Sequence, residues 1–146
     1  MTKSNSGARS IYLIKRVETI IKNKLEEALR DFGITPAQYT TMSLLKTNIE
    51  CSSAALARRT VISAQSMSEM IATLERKELI ARHEKPSNRR VLQIGLTPSG
   101  QEILSHCEKQ VDMLEQALFK SFAPDDIVSL RRLLKLIIAD AKDNDE

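Results

Sequence analysis

Glycine and proline are scarce in this chain, four of each in 146 residues. A sandwich or barrel needs many of both for its turns, so the composition argues against either. Cysteine is scarcer still. Cys51 and Cys107 cannot form a disulfide framework, and a reducing cytoplasm is the expected compartment. Long apolar runs are missing as well. Residues 133–139 are broken by Lys135 and fall far short of the roughly 20 residues a membrane span needs. The first ten residues are polar and basic, and no apolar h-region follows them, so no secretion signal is expected. The usual chemical motifs are also lacking. There is no C-x-x-C, H-E-x-x-H, P-loop or G-x-G-x-x-G, and His83 and His106 have no metal-ligand spacing. Neither catalysis nor a metal or cofactor is expected.

What remains is a globular composition, with 42% hydrophobic and 28% charged residues, on a chain long enough for one real core. The net charge of +3 is unevenly placed. Residues 1–35 carry +3 and residues 52–90 carry +4, while residues 91–146 carry −4. A basic first part and an acidic end suit a protein that meets a polyanion with one surface.

The apolar spacing predicts helices nearly throughout. Ile14, Val17, Ile21, Leu25 and Ala28 mark a first helix over 11–29, closed by Gly33. Thr35, Pro36 and Gln38 form a capping signal for a second helix reaching Lys46. Ser52 or Ser53 caps a short third helix, 54–59. Ser63 caps a fourth, expected to run through Glu78 with Met67, Met70, Ile71 and Leu74 inward. The pattern then changes. Residues 80–84 and 91–96 read as two short strands, joined by a polar loop at 85–89. Thr97-Pro98 and Ala123-Pro124 open two last helices, the second lined by Ile127, Leu130, Leu133, Leu134, Ile137 and Ile138.

Short helix, tight turn and longer helix from Ser52 to Glu78 have the spacing of a DNA-reading helix-turn-helix. The outer face of the longer helix is small and polar near its start. Gln65 can pair bidentately with adenine, and serine hydroxyls can donate or accept. The hairpin beside it places Arg82, Lys85, Arg89 and Arg90 within nine residues against one acid, Glu84. Long cations in such a wing are suited to phosphates or the minor groove. The first-choice DNA-facing residues are Ser63, Gln65, Ser66, Ser68, Glu69, Thr73 and Arg76 on the helix. On the wing they are Arg82, Lys85, Ser87, Asn88, Arg89 and Arg90.

From Thr35 to Gly100 the chain resembles the multiple antibiotic resistance regulator (MarR) family of bacterial winged-helix repressors. The matching pieces come in order: Thr35-Pro36-Ala37-Gln38-Tyr39, Leu56-Ala57, Leu74-Glu75-Arg76-Lys77, Leu79-Ile80-Ala81-Arg82, Pro86-Ser87-Asn88-Arg89-Arg90 and Leu96-Thr97-Pro98-Ser99-Gly100. Two positions depart from the family pattern. Asn88 stands where an aspartate usually orients a wing arginine, and Glu78 stands where a glycine usually ends the recognition helix.

The resemblance implies a mainly α fold with a small β-hairpin wing, in a single chain 1–146. Helices at 11–34 and 98–142 dimerise, and a winged helix-turn-helix lobe occupies 35–97, with a short strand between the second and third helices. It implies a homodimer on the two half-sites of a pseudo-palindromic double-stranded operator in the cytoplasmic nucleoid. The apolar residues of 11–29 and 124–142 fit that dimer, being more than one small core comfortably buries. It also implies an effector, a small aromatic or phenolic acid that releases DNA. The candidate contacts are Arg9, Tyr12 and Arg16 on the first helix and Tyr39 on the second, arginine for the carboxylate and tyrosine for the ring. Two alternatives stay open: a winged-helix module for protein–protein contact, and a regulator sensing oxidants through Cys51 or Cys107. The wing cations weigh against the first; against the second, neither thiol has a flanking Lys or Arg, and His106 beside Cys107 points to a different helix face.

Overall fold

In the computed structural model, residues 7–47, 51–60, 62–85 and 87–143 are described, apart from the side chains of Arg89 and Val91. Helix α1 is Ser10–Leu29, followed by a 3-10 turn, Arg30–Phe32. Gly33 closes it at φ 67°, a left-handed conformation that glycine takes without steric cost. Helix α2, Pro36–Thr47, starts with the expected capping box. The Gln38 N–H donates to Thr35 Oγ1 and the Thr35 N–H donates to Gln38 Oε1, both at 3.1 Å. Helix α3, Ser53–Arg59, is capped by Ser52, and α4, Ala64–Arg76, by Ser63; each serine hydroxyl accepts the N–H three residues on at 3.1 Å. Each such cap stabilises its helix by about 1 kcal/mol relative to alanine.

α4 ends two residues before the expected Glu78. Its close is a Schellman motif: Leu79 N–H donates to the Leu74 carbonyl at 3.0 Å, and Glu78 N–H to the Glu75 carbonyl at 2.9 Å. That geometry requires a left-handed residue after the cap, and Glu78 takes it at φ 60°. The usual glycine is absent, yet the glycine's conformation is kept.

The hairpin is longer than expected, and its loop is shorter. Strand β1 is Ile80–Lys85 and β2 is Asn88–Leu96, antiparallel. Lys85, Asn88 and Arg89, expected in the loop, belong to the strands. The register explains how. It runs regularly from Ile80 opposite Leu96 to Glu84 opposite Leu92, then shifts so that Lys85 faces Asn88. Residues 89–91 form the bulge that takes up the difference, as bulges do where a strand must bend. The short strand before α3 is a single bridge, Cys51 to Ile94, with Ile94 N–H donating to the Cys51 carbonyl at 2.9 Å.

Helix α5, Pro98–Leu118, begins where Thr97 Oγ1 accepts the Gly100 N–H at 3.0 Å. The same hydroxyl donates to the Glu78 carbonyl at 2.6 Å, and Thr97 N–H donates to the Leu79 carbonyl at 3.0 Å. Two hydrogen bonds therefore tie the left-handed turn after α4 to the start of α5.

The chain divides into two compact units, Met1–Val111 and Asp112–Glu146. In the first, one core gathers Met42 and Leu45 from α2, Leu56 from α3, Met67, Ile71 and Leu74 from α4, Ile80 and Ile94 from the hairpin, and Leu104 and Cys107 from α5. In the second, α6, Pro124–Asp143, carries Asp125 and Asp126 in its first turn. Asp126 Oδ2 accepts the Ala123 N–H at 2.8 Å, so one acid satisfies an orphan donor at the positive end of the helix. No residue of α6 is buried.

Candidate nucleic-acid interface

The buried spine of α4 decides which of its residues face outward. Met67, Ile71 and Leu74 have no accessible surface, and helical spacing then turns Gln65, Ser68, Glu69 and Arg76 away from the core. All four are exposed, as are Ser63 and Ser66. The serines at the start are pre-arranged. Ser63 Oγ accepts the Ser66 N–H and donates its own proton to Ser66 Oγ at 3.0 Å. The Ser66 proton is thereby left to point elsewhere. Beside a helix N-terminus and a small polar face, this is a surface that can approach base edges and phosphates together.

Further along α4, Thr73 is half-buried. Its hydroxyl donates to the Glu69 carbonyl at 3.0 Å and accepts from Arg76 Nη2 at 3.1 Å. Arg82, on β1, does not swing free on the wing. Its Nε donates to Glu75 Oε2 at 2.8 Å, so the hairpin is ion-paired to the end of α4. Both partners are exposed, and such a pair contributes about 0–1 kcal/mol. Its value lies in orientation, since it engages Nε and not the two terminal guanidinium nitrogens. At the tip, Asn88 Oδ1 accepts the Arg90 N–H at 3.2 Å, so the amide organises the wing backbone locally. Ser87, Asn88 and Arg90 are exposed and Lys85 is half-buried. The Arg89 side chain lies outside the described residues.

Reading the sequence by helix faces passed over two further cations. Arg58 and Arg59 close α3 and are exposed. The first helix of a helix-turn-helix crosses the DNA backbone, and their part in the +4 of residues 52–90 was the available signal.

The four effector candidates are not gathered into one place. Tyr12 and Arg16 are neighbours on α1, the guanidinium carbon 5.9 Å from the ring centroid, within cation–π range. With Lys15, Thr19 and Ile20 they line an open groove of about 420 Å³. Arg9 is exposed at the start of α1 and is not among the groove's lining residues. Tyr39 is half-buried and packs on the core of the lobe.

Both cysteines are free and buried. Burial pushes the Cys107 thiol above its ordinary range, and the neighbouring Glu108 charge adds to the shift. A buried, protonated thiol is a poor nucleophile. The adjacent His106 is engaged elsewhere, its ring stacked on Phe32 with centroids 6.0 Å apart. Among the described residues no cluster of His, Cys, Asp and Glu could hold a metal ion, and no helix is long and apolar enough to cross a membrane.

Comparison with known proteins agrees with this geometry. The MarR family profile matches residues 34–92. The HTH-type transcriptional regulator YsmB of Bacillus subtilis (strain 168) is 26% identical over 124 residues, covering 84% of this chain and 85% of that protein. The HTH-type transcriptional repressor Rv2887 of Mycobacterium tuberculosis is 29% identical over 126 residues, 86% of this chain and 91% of that protein. Among solved structures, a mutant MarR from E. coli complexed with operator DNA superposes with a TM-score of 0.78 at 25% identity, over 86% of this chain and 91% of that one. The transcriptional repressor CouR, bound to a 23-mer DNA duplex, gives a TM-score of 0.83 at 25% identity, over 89% and 92%.

Proposed function

We propose that the chain is a member of the MarR family of winged-helix transcriptional regulators, whose profile matches residues 34–92, and that it acts as a homodimeric repressor. It binds a pseudo-palindromic operator through α4 and the wing, and a small aromatic acid releases it. One observation carries the DNA-reading part: a serine-capped recognition helix with a small polar face, its end ion-paired to an arginine-bearing hairpin. A protein-binding winged helix has no use for that combination. Structures of similar repressors on DNA support the same docking.

Gln65, Ser66 and Ser68 read bases. Ser63 and the wing cations Lys85, Arg89 and Arg90 meet phosphate or the minor groove, and Arg82 is aimed by Glu75. Dimerisation follows from apolar residues left exposed on α1 and α6. For the effector, the Tyr12–Arg16 groove supports a carboxylate and a ring at one place. An effector can displace DNA only by preferring one dimer geometry over another, and half-sites one helical turn apart tolerate little change in spacing.

The test begins with fragments of the host genome selected on the intact protein, to obtain the operator. Titration across salt concentrations then separates specific from non-specific binding. A protein that bound no duplex at low salt would refute the reading. Benzoate and hydroxybenzoate acids are then added to the operator complex, with wild type and Arg16→Ala in parallel. Release of wild type but not the variant supports the α1 groove. Equal release of both moves the site elsewhere, and no release removes the aromatic-acid effector while leaving the repressor.

A further inference from the structure

Sulfur in this chain is spread over two cysteines and five methionines, and their exposure is uneven. Cys51 and Cys107 are buried, and burial keeps the Cys107 thiol protonated, a poor nucleophile. Met42 and Met67 are wholly inaccessible, whereas Met113 on α5 is 61% exposed. Met70 stands between these extremes. It is half-buried on α4, next to Ile71, and packs against the core of the lobe. A thioether reacts with oxidants without first losing a proton, so a half-buried methionine is open to agents that a buried thiol resists.

The sulfur of Met70 meets a buried hydroxyl on another helix. Thr41 Oγ1, on α2, lies 3.1 Å from Met70 Sδ and 3.0 Å from the Ala37 carbonyl oxygen. Thr41 has no accessible surface. Its hydroxyl has one proton, and of the two acceptors the thioether is the weaker. The sulfur is therefore held against α2 by packing more than by a hydrogen bond. An oxygen added to it changes that balance. A sulfoxide is polar and accepts strongly, so it competes with Ala37 for the Thr41 proton. The packing around Thr41 has no slack for an extra atom. The oxidised side chain must push α4 away from α2, or turn to water and leave the core.

We propose that Met70 is a site of reversible sulfoxidation by hydroperoxides, and that its oxidation unseats the recognition helix. A sulfur lone pair attacks one peroxide oxygen. The O–O bond breaks as the S–O bond forms, the remainder of hydrogen peroxide leaves as water, and sulfur is oxidised by two electrons. A dithiol reductase reverses the step: the sulfoxide oxygen leaves as water and the dithiol becomes a disulfide. The inference rests on the reading of α4 as the DNA-reading helix. Gln65, Ser68 and Glu69 ride on the same helix as Met70, so a displaced α4 takes them out of register with the bases.

The experiment treats the intact, 15N-labelled protein with hydrogen peroxide. Peptide mass mapping locates the added oxygen, amide NMR spectra follow α4, and operator binding is measured alongside. Variants are Met70→Leu, which nearly conserves volume, Met113→Leu and Met70→Gln. Wild type and Met113→Leu are expected to gain oxygen at Met70 and to shift the amides of α4. Both should lose operator affinity about tenfold, within the usual range of coupling between sites. Methionine sulfoxide reductases with dithiothreitol restore spectrum and affinity. Met70→Leu keeps both under the same treatment, although its Met113 is oxidised. Met70→Gln, with an amide oxygen near the place of the sulfoxide oxygen, binds weakly without peroxide; should it not fold, wild type against Met70→Leu decides. An equal loss of affinity in Met70→Leu overturns the inference and assigns the response to another residue. Oxidation at Met70 that leaves α4 and affinity unchanged also overturns it, as does an unmodified Met70 where Met113 is fully converted. If untreated protein binds no duplex, the DNA-binding reading fails, and the spectra of wild type and Met70→Leu still decide the Met70 site.

Discussion

α4 in the winged-helix lobe and α6 in the second unit both repeat apolar residues at helical spacing, yet they end in opposite states. Met67, Ile71 and Leu74 of α4 are wholly inaccessible, whereas Leu133, Leu134, Ile137 and Ile138 of α6 are between 42% and 57% exposed. The long helix α1 resembles α6, with only Leu29 buried and Ile11, Leu13, Ile14, Val17 and Ile20 left open. Periodicity marks a face that must be covered and is silent on what covers it. Inside the lobe the cover is the same chain. On α1 and α6 the unburied area is of the kind that marks a partner surface, and a second copy is the simplest partner.

The strongest way to break this comparison is to remove α6. Deleting residues 124–146 is expected to give an aggregated or poorly folded chain, because the apolar face of α1 loses the partner surface proposed for it. Replacing Leu134 and Ile138 together by Asp is the gentler version, expected to convert dimer to monomer and abolish operator binding. Sedimentation and circular dichroism read both. A soluble, folded monomer from the deletion would show that these faces need no partner.

Inside the lobe the largest effect belongs to the joint between α4 and α5. A Cβ on Gly100 would fall on the carbonyl oxygen of Leu79, backbone that Thr97 also holds. Gly100→Ala is expected to destabilise the protein by about 3 kcal/mol, at the upper end for an inserted methyl group. Chemical denaturation checks this. A neutral result would mean that the joint between the turn after α4 and the start of α5 is not rigid.

Within the proposed interface, α4 and the wing should differ in kind. Gln65→Ala is expected to cost about 1–3 kcal/mol at one base pair and to relax preference there. Arg90→Ala, and equally Arg89→Ala, should weaken all duplexes alike and lower the salt slope of log K by about one. Competition binding against operator variants at several salt concentrations separates the two. An unchanged slope for both arginine variants would remove the wing from the interface.

How much of this was legible depended on whether a feature is local. The capping box at Thr35 and Gln38, the serine caps of α3 and α4, and the glycine after the 3-10 turn are each written in four or five adjacent residues, and the structure has them all. The spacing of Met67, Ile71 and Leu74 alone places Gln65 and Ser68 on the outer face, where both are exposed. Contacts between distant elements carried no such signal. Nothing near Arg82 in sequence announces Glu75 as its partner, seven residues back on another element. Nothing near Gln93 announces that its buried oxygen has no hydrogen-bond partner among the described residues. The hairpin bulge was missed because residues 85–89 are polar and turn-like in composition, while the pairing of Lys85 with Asn88 is a property of register. The end of α4 was missed because the expected glycine was absent and its conformation was not.

That last difference gives the smallest effect and the cleanest comparison. Gly33 and Glu78 both take left-handed backbone, φ 67° and 60°, one with the residue suited to it and one without. An L-residue with a Cβ costs roughly 1–2 kcal/mol in that region. Glycine relieves this but adds unfolded-state freedom worth about 0.4–1 kcal/mol. Glu78→Gly is therefore expected to stabilise the protein by about 0.5–1 kcal/mol. Glu78→Ala controls for loss of the charge: it keeps the Cβ and should give no gain. Both variants should bind operator as wild type does, since the Schellman hydrogen bonds from Glu78 and Leu79 are backbone in origin. A gain of the same size from alanine would assign the effect to the carboxylate, and the turn would then not be strained.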